Sequence, residues 1–319
     1  MRKTATLGDT ALLSHNGRGK RFGKSLKKHW QYYILLLPAL IYFIIFCYWP
    51  MYGAQIAFRD YIATKGIWGS PWVGFDHFTR FFNSPYFWDL IRNTVVISLY
   101  NLIAGFPLPI ILALSLNELR NERAKKAIQT ITYAPYFISV VVMCSMIMSF
   151  LNPSTGIINK MIETLGGEAI PFLSKEELFP SIYVWTNVWQ ATGWGSVIYI
   201  AALSGVDPAL LEAATLDGAT RLQKIWYVNL PAITPTIVIL LILNCGGILS
   251  VGYEKIFLLQ SPLNTATSEV ISTYVYKTGL VGAQYSFSTA VGLFNSVVNL
   301  IMLAIVNAVS RKVSENSLW

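Results

Sequence analysis

Long stretches without charged residues divide the chain into regular apolar segments. Six runs lack Asp, Glu, Lys and Arg: residues 30–58, 93–117, 127–159, 178–206, 225–253 and 278–310. Each run is long enough to cross a bilayer, because a helical span needs roughly 20 apolar residues at about 1.5 Å each. The pattern predicts membrane-spanning helices near 30–53, 93–117, 128–151, 181–204, 232–254 and 284–309.

These segments predict an all-α fold, namely a polytopic membrane protein with six transmembrane helices. Lipid offers no hydrogen-bond partner to an exposed backbone N–H or C=O group, so only helices or closed barrels cross a bilayer. The alternating strands of about ten residues that build a barrel do not occur in the sequence. Composition agrees, since 54% of the residues are hydrophobic, 13% are charged and the mean hydropathy is +0.49.

The distribution of Lys and Arg predicts that both termini are cytoplasmic. In that orientation the inner segments carry 16 of the 24 basic residues and the outer loops carry 7, in accord with the positive-inside rule. The net charge of +8 therefore reflects topology, and no nucleic-acid partner is expected. Three regions follow: a basic cytoplasmic arm at 1–29, a six-helix transmembrane domain at 30–310 with a cytoplasmic loop at 205–231, and a short cytoplasmic tail at 311–319.

Reactive side chains are few and scattered. The cysteines lie inside apolar runs, where small core residues are expected, and the histidines are far apart: Cys47, Cys144, Cys245, His15, His29 and His77. No nucleophile–base pair and no pair of intramembrane carboxylates is present in the sequence. We therefore predict no catalytic residue, no metal site and no bound cofactor.

The cytoplasmic loop contains a polar helical stretch, "EAATLDGATRLQKIWYVNLP", at residues 212–231. Asp207-Pro208 predicts the start of a helix, since Asp can accept from free N–H groups and Pro suits the first helical position. Gly218 predicts its end, because glycine readily adopts the left-handed conformation found after helices. A second amphipathic piece, "ATRLQKIWYVN", is expected before Leu230-Pro231 leads into the fifth span.

Two interpretations of this loop are open. In the first it is a docking surface, because the small side chains of Ala213 and Ala214 allow close approach to the backbone and Glu212 offers a charge. In the second it is an ordinary interfacial helix, anchored in the headgroup region by apolar side chains. The side chains that would anchor it are Leu216, Leu222, Ile225 and Trp226.

The loop resembles the cytoplasmic signature of the membrane subunits of binding-protein-dependent ABC importers. That signature is EAA, three residues, G, nine residues, I, one residue, LP. Glu212, Ala213, Ala214, Gly218, Leu230 and Pro231 match it in place, Asp217 lies within it, and Val228 stands where Ile is usual. The segments 35–61, 69–82 and 92–99 also look like the sugar-importing branch, of the polysaccharide and complex-oligosaccharide type.

The resemblance implies a type I importer permease fold in a bacterial inner membrane. Such a subunit pairs with a second, homologous permease, two cytoplasmic ATP-binding subunits and an extracytoplasmic sugar-binding protein. The 205–231 loop would then be a coupling helix seated in a groove of one ATPase. Glu212 would face a basic residue there, Gly218 would allow the bend, and Leu230-Pro231 would direct the chain into the fifth span. ATP hydrolysis would belong to the partner, so the chain itself is not expected to be an enzyme.

Candidate substrate contacts lie on the fourth predicted span. Asn187, Gln190 and Trp194 share one helical face, and Asn244 and Tyr253 of the fifth span are further candidates. Amides can bond sugar hydroxyls, and an indole ring can stack on a sugar ring. The alternative is that these side chains pack helices together, as amides often do in bilayers.

Two other classes of membrane protein are alternatives to an importer subunit. A secondary transporter usually retains intramembrane acidic residues for ion or proton coupling, and the six apolar runs contain none. A membrane enzyme such as a lipid-linked glycosyltransferase needs acidic residues that converge at one membrane face, whereas those of this chain are dispersed along it. Both classes therefore fit the sequence less well than an importer subunit.

Overall fold

The computed structural model describes residues 29–313, which fall into two compact units that divide between Gln55 and Ile56. In chain order the main helices are α1 Trp30–Phe58, α2 Asp76–Phe82, α3 Phe87–Gly105, α4 Pro107–Asn117, α5 Glu122–Tyr133, α6 Val140–Phe150, α7 Ile157–Thr164, α8 Phe179–Leu203, α9 Pro208–Leu216, α10 Arg221–Gly246, α11 Tyr253–Leu259, α12 Ile271–Tyr276 and α13 Tyr285–Val313. Shorter turns occupy Gly66–Gly69, Ala134–Phe137, Glu176–Leu178, Thr265–Ser268 and Lys277–Val281. Across residues 29–313 no strand is formed beyond one isolated bridge, between Arg59 and Trp72. The predicted all-α fold is confirmed.

Within residues 29–313, four helical stretches are long and apolar enough to cross a membrane without a break. They are Trp30–Phe58, Phe87–Asn117, Arg221–Gly246 and Tyr285–Lys312, and they correspond to the first, second, fifth and sixth predicted spans. Two bent pairs bring the number to six if each pair is one span. Of the predicted arm at 1–29, only His29 is among the described residues. Of the predicted tail at 311–319, residues 311–313 are described, and α13 continues over them.

The third apolar run does not form one straight helix, so the predicted span at 128–151 is wrong in that respect. The chain turns by 99° between the helical stretch Glu122–Phe137 and α6. Pro135 cannot donate the N–H that would continue the helical ladder, and Ile138 and Ser139 are extended. The Gln190 side chain donates to the Ile138 carbonyl at 3.0 Å. A polar group from α8 therefore satisfies the backbone where the helix is interrupted.

The fifth span is displaced toward the cytoplasm relative to its predicted position at 232–254. α10 is continuous from Arg221 to Gly246, with a π-helical turn at Ile225–Asn229. This turn precedes Pro231, whose ring would clash with the carbonyl four residues earlier in a regular helix, and a local π turn relieves such a clash. Consequently Leu230-Pro231 lies inside one helix and does not separate a loop helix from the span.

The outer end of the fifth span is shorter than predicted. α10 ends at Gly246, and residues 247–252 leave the helix before α11 begins at Tyr253. The Asn299 side chain of α13 accepts from Leu249 N–H at 3.0 Å and donates to Ser250 Oγ at 2.9 Å. Ser272 donates to the Val251 carbonyl at 3.1 Å. These bonds from neighbouring segments compensate for the helical bonds that the segment lacks.

The α8 helix is the centre of the packing within Ile56–Trp319. Its outer half contributes Phe179, Tyr183 and Val184 to a buried apolar cluster with α3, α6 and α11. Its inner half contributes Tyr199 and Leu203 to a second cluster with α4 and α10. A third cluster joins α2, α3, α12 and α13. α8 therefore takes part in two of the three clusters and contacts α3, α4, α6, α10 and α11.

A glycine allows α8 to approach the end of α5. A Cβ atom on Gly193 would overlap the carbonyl of Thr132 and come within 2.9 Å of the Tyr133 nitrogen. Backbone atoms cannot move aside as the end of a flexible side chain can. Residue 193 therefore has to be glycine for the two helices to keep this distance.

We expect Gly193→Ala to lower the melting temperature of the detergent-purified complex, since forced separation of packed backbones costs about 1–3 kcal/mol. Gly105→Ala is the matched control, because Gly105 is also helical and its Cβ would meet Val188 at 3.7 Å, an ordinary contact. Thermal unfolding of both variants measures the difference. Equal melting temperatures would contradict the close approach described above.

Candidate functional site

The cytoplasmic loop begins with a capped helix, as predicted. Asp207 is the N-cap of α9, and its carboxylate accepts from the Ala209 N–H at 2.9 Å. Pro208 occupies the first helical position, where its missing N–H has no intrahelical partner to lose. The helical stretch that includes α9 is bent by 80° from the one that ends at Leu203, so α9 leaves the direction of the fourth span.

Gly218 ends α9 in the left-handed conformation, with φ of +78°. Its N–H donates to the Thr215 carbonyl at 3.1 Å, and the Ala219 N–H donates to the Ala214 carbonyl at 2.9 Å. This pair of bonds is a Schellman motif, which satisfies carbonyls that the helix end would otherwise leave free. No heavy atom lies within 4 Å of the place where a Cβ would stand, so the constraint on residue 218 is conformational.

A reciprocal cap starts α10, and the sequence analysis missed it. Thr220 Oγ1 accepts from Gln223 N–H at 3.4 Å, while Gln223 Oε1 accepts from Thr220 N–H at 2.7 Å. The spacing Thr-x-x-Gln is a capping-box pattern that can be recognised in sequence. The left-handed Gly218 and this capping box together determine the turn between α9 and α10.

The residues of the motif divide between an exposed side and an anchored side. Glu212, Ala213, Asp217, Gly218 and Pro231 are exposed, whereas Ala214, Val228 and Leu230 are half-buried. Leu230 packs against the cluster that contains Tyr199 and Leu203. The exposed side offers a short helix face with small side chains and two carboxylates, Glu212 and Asp217, that carry no hydrogen bond or ion pair among the residues described.

A small hollow of about 220 Å³ lies inside the turn. Ala214, Val228, Lys224 and Tyr227 contribute to its wall, and Lys224 Nζ is 3.4 Å from Thr215 Oγ1. Asn229, which is buried, donates to Glu118 of the preceding cytoplasmic segment at 3.4 Å. The loop is thus attached to the rest of its unit by apolar packing and by this polar contact.

A larger cavity of about 530 Å³ lies among α3, α4, α8, α10 and the non-helical segment 247–252. Its wall is apolar along much of its length and includes several neutral polar side chains. These are Ser98, Asn101, Asn187, Thr192, Asn244 and Ser250. Among residues 29–313, no Asp, Glu, Lys or Arg belongs to the wall. Amide and hydroxyl groups in an otherwise apolar cavity are suited to binding a ligand rich in hydroxyl groups.

The structure separates the five residues predicted for the substrate pathway. Asn187 and Asn244 line the cavity. Gln190 bonds the Ile138 carbonyl, and Trp194 stacks on the ring of Tyr136 with centroids 5.1 Å apart. Tyr253 contacts the rings of Phe257 and Tyr276. Gln190, Trp194 and Tyr253 therefore lie outside the cavity wall.

Asn101 is a cavity residue that the sequence analysis missed. Its side-chain oxygen accepts from the Asn187 amide at 2.8 Å, which joins α3 to α8. An isolated amide in the apolar run 93–117 was the signal that could have identified it, because polar groups inside membrane helices require partners. The adjacent Tyr100 hydroxyl accepts from the Trp185 indole at 2.8 Å, so two polar contacts join the same pair of helices.

Among residues 29–313, no group of three or more His, Cys, Asp or Glu side chains is placed to hold a metal ion. Of the three cysteines, Cys47 is exposed, Cys144 is buried and Cys245 is half-buried, and all are free thiols.

Comparisons with known proteins agree with the motif and the fold. Residues 105–315 match the family described as "Binding-protein-dependent transport system inner membrane component". Protein LplB of Bacillus subtilis (strain 168) is 44% identical over 303 residues, which cover 95% of each chain. The polygalacturonan/rhamnogalacturonan transport system permease protein YteP of the same organism is 43% identical over 309 residues, which cover 97% of this chain and 96% of YteP.

A solved structure has the same fold. It is a crystal structure of a bacterial alginate ABC transporter in complex with an alginate pentasaccharide-bound periplasmic protein. One of its chains superposes with a TM-score of 0.86 at 44% identity, covering 93% of this chain and all of that one. The family match covers about two thirds of the sequence, and the relatives match nearly all of it. The chain is therefore a member of the inner-membrane components of binding-protein-dependent transport systems, a transport permease of the bacterial plasma membrane.

Proposed function

We propose that this permease forms half of the translocation pathway of an ATP-driven importer for oligo- or polysaccharides. A second homologous permease supplies the other half, and an extracytoplasmic binding protein delivers the sugar. Two separate cytoplasmic subunits hydrolyse ATP and act on the permease through the 205–231 loop. The names of YteP and of the alginate transporter support a saccharide substrate.

The geometry of α10 is the observation on which the proposed coupling depends. This helix begins at Arg221, directly after the turn that joins it to α9 and the exposed face of the motif, and continues without interruption to Gly246. Leu240 and Asn244, near its other end, belong to the cavity wall. A displacement of the loop by a bound ATPase would therefore reach the cavity along a single rigid element, as rigid-body mechanisms of switching require.

The exposed face of α9 is suited to docking in a groove. Ala213 has a side chain small enough for another surface to reach the backbone, and Glu212 next to it supplies an unpaired carboxylate. The alternative, an interfacial helix anchored by apolar residues, depends on the exposed side chains of Leu216, Leu222 and Trp226. Leu216 is one helical turn from Glu212 on the same face of α9, so we assign that face to the ATPase, whereas Leu222 and Trp226 of α10 are available to headgroups.

The proposal is tested by purification in mild detergent and by sugar uptake into proteoliposomes. We expect an ATP-hydrolysing subunit to copurify with the wild-type permease and to be lost with Ala213→Asp, because a charge forced into a packed joint is costly. Thr215→Asp places the same charge two residues later, on the opposite side of α9 and near Lys224, and is expected to retain the ATPase. Loss of the ATPase from both variants, or from neither, would contradict docking through this face.

Backbone conformation at Gly218 provides a second test. Gly218→Val should impair both uptake and sugar-stimulated ATP hydrolysis, because a left-handed backbone costs an ordinary residue roughly 1–2 kcal/mol and suits a β-branched one least. Gly218→Asn is the matched control, since asparagine tolerates this conformation. The amount of each variant in the membrane is compared with its transport rate. Equal transport by the two variants would show that the left-handed turn is not required.

The cavity is tested by a pair of substitutions on α8. We expect Asn187→Leu to lower sugar uptake per folded complex roughly tenfold, the equivalent of one hydrogen bond of about 1–1.5 kcal/mol, in addition to any loss of folded complex caused by breaking its bond to Asn101. Gln190→Leu should instead lower the amount of folded complex, because it leaves the Ile138 carbonyl without its side-chain donor. Transport rate per assembled complex separates the two effects. An unchanged transport rate per assembled complex in Asn187→Leu would indicate that Asn187 only packs helices.

A further inference from the structure

A buried lysine without a polar partner lies next to the large cavity. Lys255, in the first turn of α11, is 5% exposed. Its Nζ has no hydrogen-bond partner among residues 29–313. The ion pair that the structure does record over the same residues joins Lys277 and Glu269 at 2.6 Å. Lys255 is therefore an ammonium group whose compensating charge is not supplied by the described part of the chain.

The surroundings of Lys255 are apolar. Tyr183 and Cys144, whose side chains interact with Lys255, both belong to the buried cluster that includes Met143, Phe179 and Val184. The Tyr183 ring provides a partial substitute for water, since Lys255 Nζ lies 5.5 Å from its centroid and an aromatic face attracts a cation. Burial lowers the pKa of Lys255 to about 8. The ammonium form still predominates at neutral pH, so the site holds a positive charge.

Lys255 is separated from the cavity by a single layer of residues. Tyr183, whose ring is close to the ammonium, belongs to the cavity wall, as do Val251 and Gly252 immediately before α11. These residues lie at the end of the cavity nearest the predicted outer face. The potential of a charge extends much further through protein than through water, because the effective dielectric constant is lower. Lys255 therefore makes this end of the cavity positive.

Packing alone does not account for a lysine at this position. A methionine side chain has similar length and would fill the same space without the cost of burying an ammonium group, and replacement of buried charges by apolar groups is often stabilising. The cavity wall itself contains only neutral polar groups. A ligand without charge would gain nothing from Lys255, whereas a ligand with a carboxylate would gain a favourable interaction where the wall is otherwise neutral.

We propose that Lys255 makes the translocation cavity selective for anionic saccharides, that is, for chains of uronic acids. The amides of Asn101, Asn187 and Asn244 provide hydrogen bonds to sugar hydroxyls, and Lys255 provides the electrostatic attraction for a carboxylate at the outer end of the cavity. Tyr183 holds the ammonium while the cavity is empty. This inference rests on the proposed function, since it assigns the substrate class of the same pathway.

Equilibrium binding to the detergent-purified importer, without its binding protein, tests the selectivity directly. The probes are radiolabelled digalacturonate and a neutral disaccharide of the same size, maltose. We expect the wild-type importer to bind digalacturonate more tightly than maltose, and Lys255→Met to weaken digalacturonate binding at least tenfold with no change for maltose. Equal affinity of the wild-type importer for the two probes, undetectable binding of both included, would overturn the proposal. An unchanged preference in Lys255→Met would do the same.

A matched control separates a local charge effect from a general one. Lys175→Met also removes one positive charge from an outer segment, but Lys175 is exposed, where solvent and salt screen its charge. It should retain the preference of the wild-type importer. A loss of preference in Lys175→Met equal to that in Lys255→Met would show that net charge, and not the buried lysine, is responsible.

Uptake into proteoliposomes containing the complete importer and its binding protein distinguishes this inference from the proposed function. Failure of the wild-type importer to take up any saccharide with ATP would contradict the proposed function itself. Saccharide uptake by the wild-type importer together with an unchanged rate of oligogalacturonate uptake by Lys255→Met would contradict only the role of Lys255. We expect Lys255→Met to reduce that rate severalfold and Lys175→Met to leave it unchanged.

Discussion

The requirement that every backbone polar group be bonded inside a bilayer governs this structure. Lipid supplies no donor or acceptor, so regular helix is the default, and each departure from it needs a partner from elsewhere in the protein. The chain departs from helix at Ile138 and at residues 247–252. Gln190 satisfies the first break, and Asn299 satisfies part of the second. Amides inside the apolar runs can thus have a structural role, as Gln190 and Asn299 do.

Interrupted helices also create the space in which a substrate could be bound. The segment 247–252 bends away from α10 and forms one wall of the large cavity, while the adjacent α11 buries Lys255 behind that wall. A fifth span that continued as helix to residue 254 would have occupied part of this space. The cost of leaving the helix is offset by side-chain bonds from α13, and the result is a cavity with polar backbone and side-chain groups at one end.

The two candidate sites are connected because one helix belongs to both. α10 begins at the cytoplasmic turn with a capping box and ends at the cavity, and its π turn accommodates Pro231 without a break. The bend between α8 and α9 separates the motif from the fourth span, whereas the short turn at Gly218 joins α9 directly to the helix of the fifth span. Motion of the loop is therefore expected to be transmitted mainly through α10. The close packing of α8 against α5 at Gly193 provides a fixed surface against which α10 can move.

The sequence by itself determined the fold class, the approximate spans and the local structure of the motif. Charge-free runs specify helices because the bilayer permits little else, and Asp207, Pro208 and Gly218 act on backbone groups within a few residues of themselves. Only the tertiary structure decided that Gln190 satisfies the break at Ile138, that α10 ends early, and which groups Asn101 and Lys255 contact. The physical reason is distance along the chain. Each of these features depends on a contact with a segment that is remote in sequence, and the spacing of apolar residues within one segment does not identify that partner.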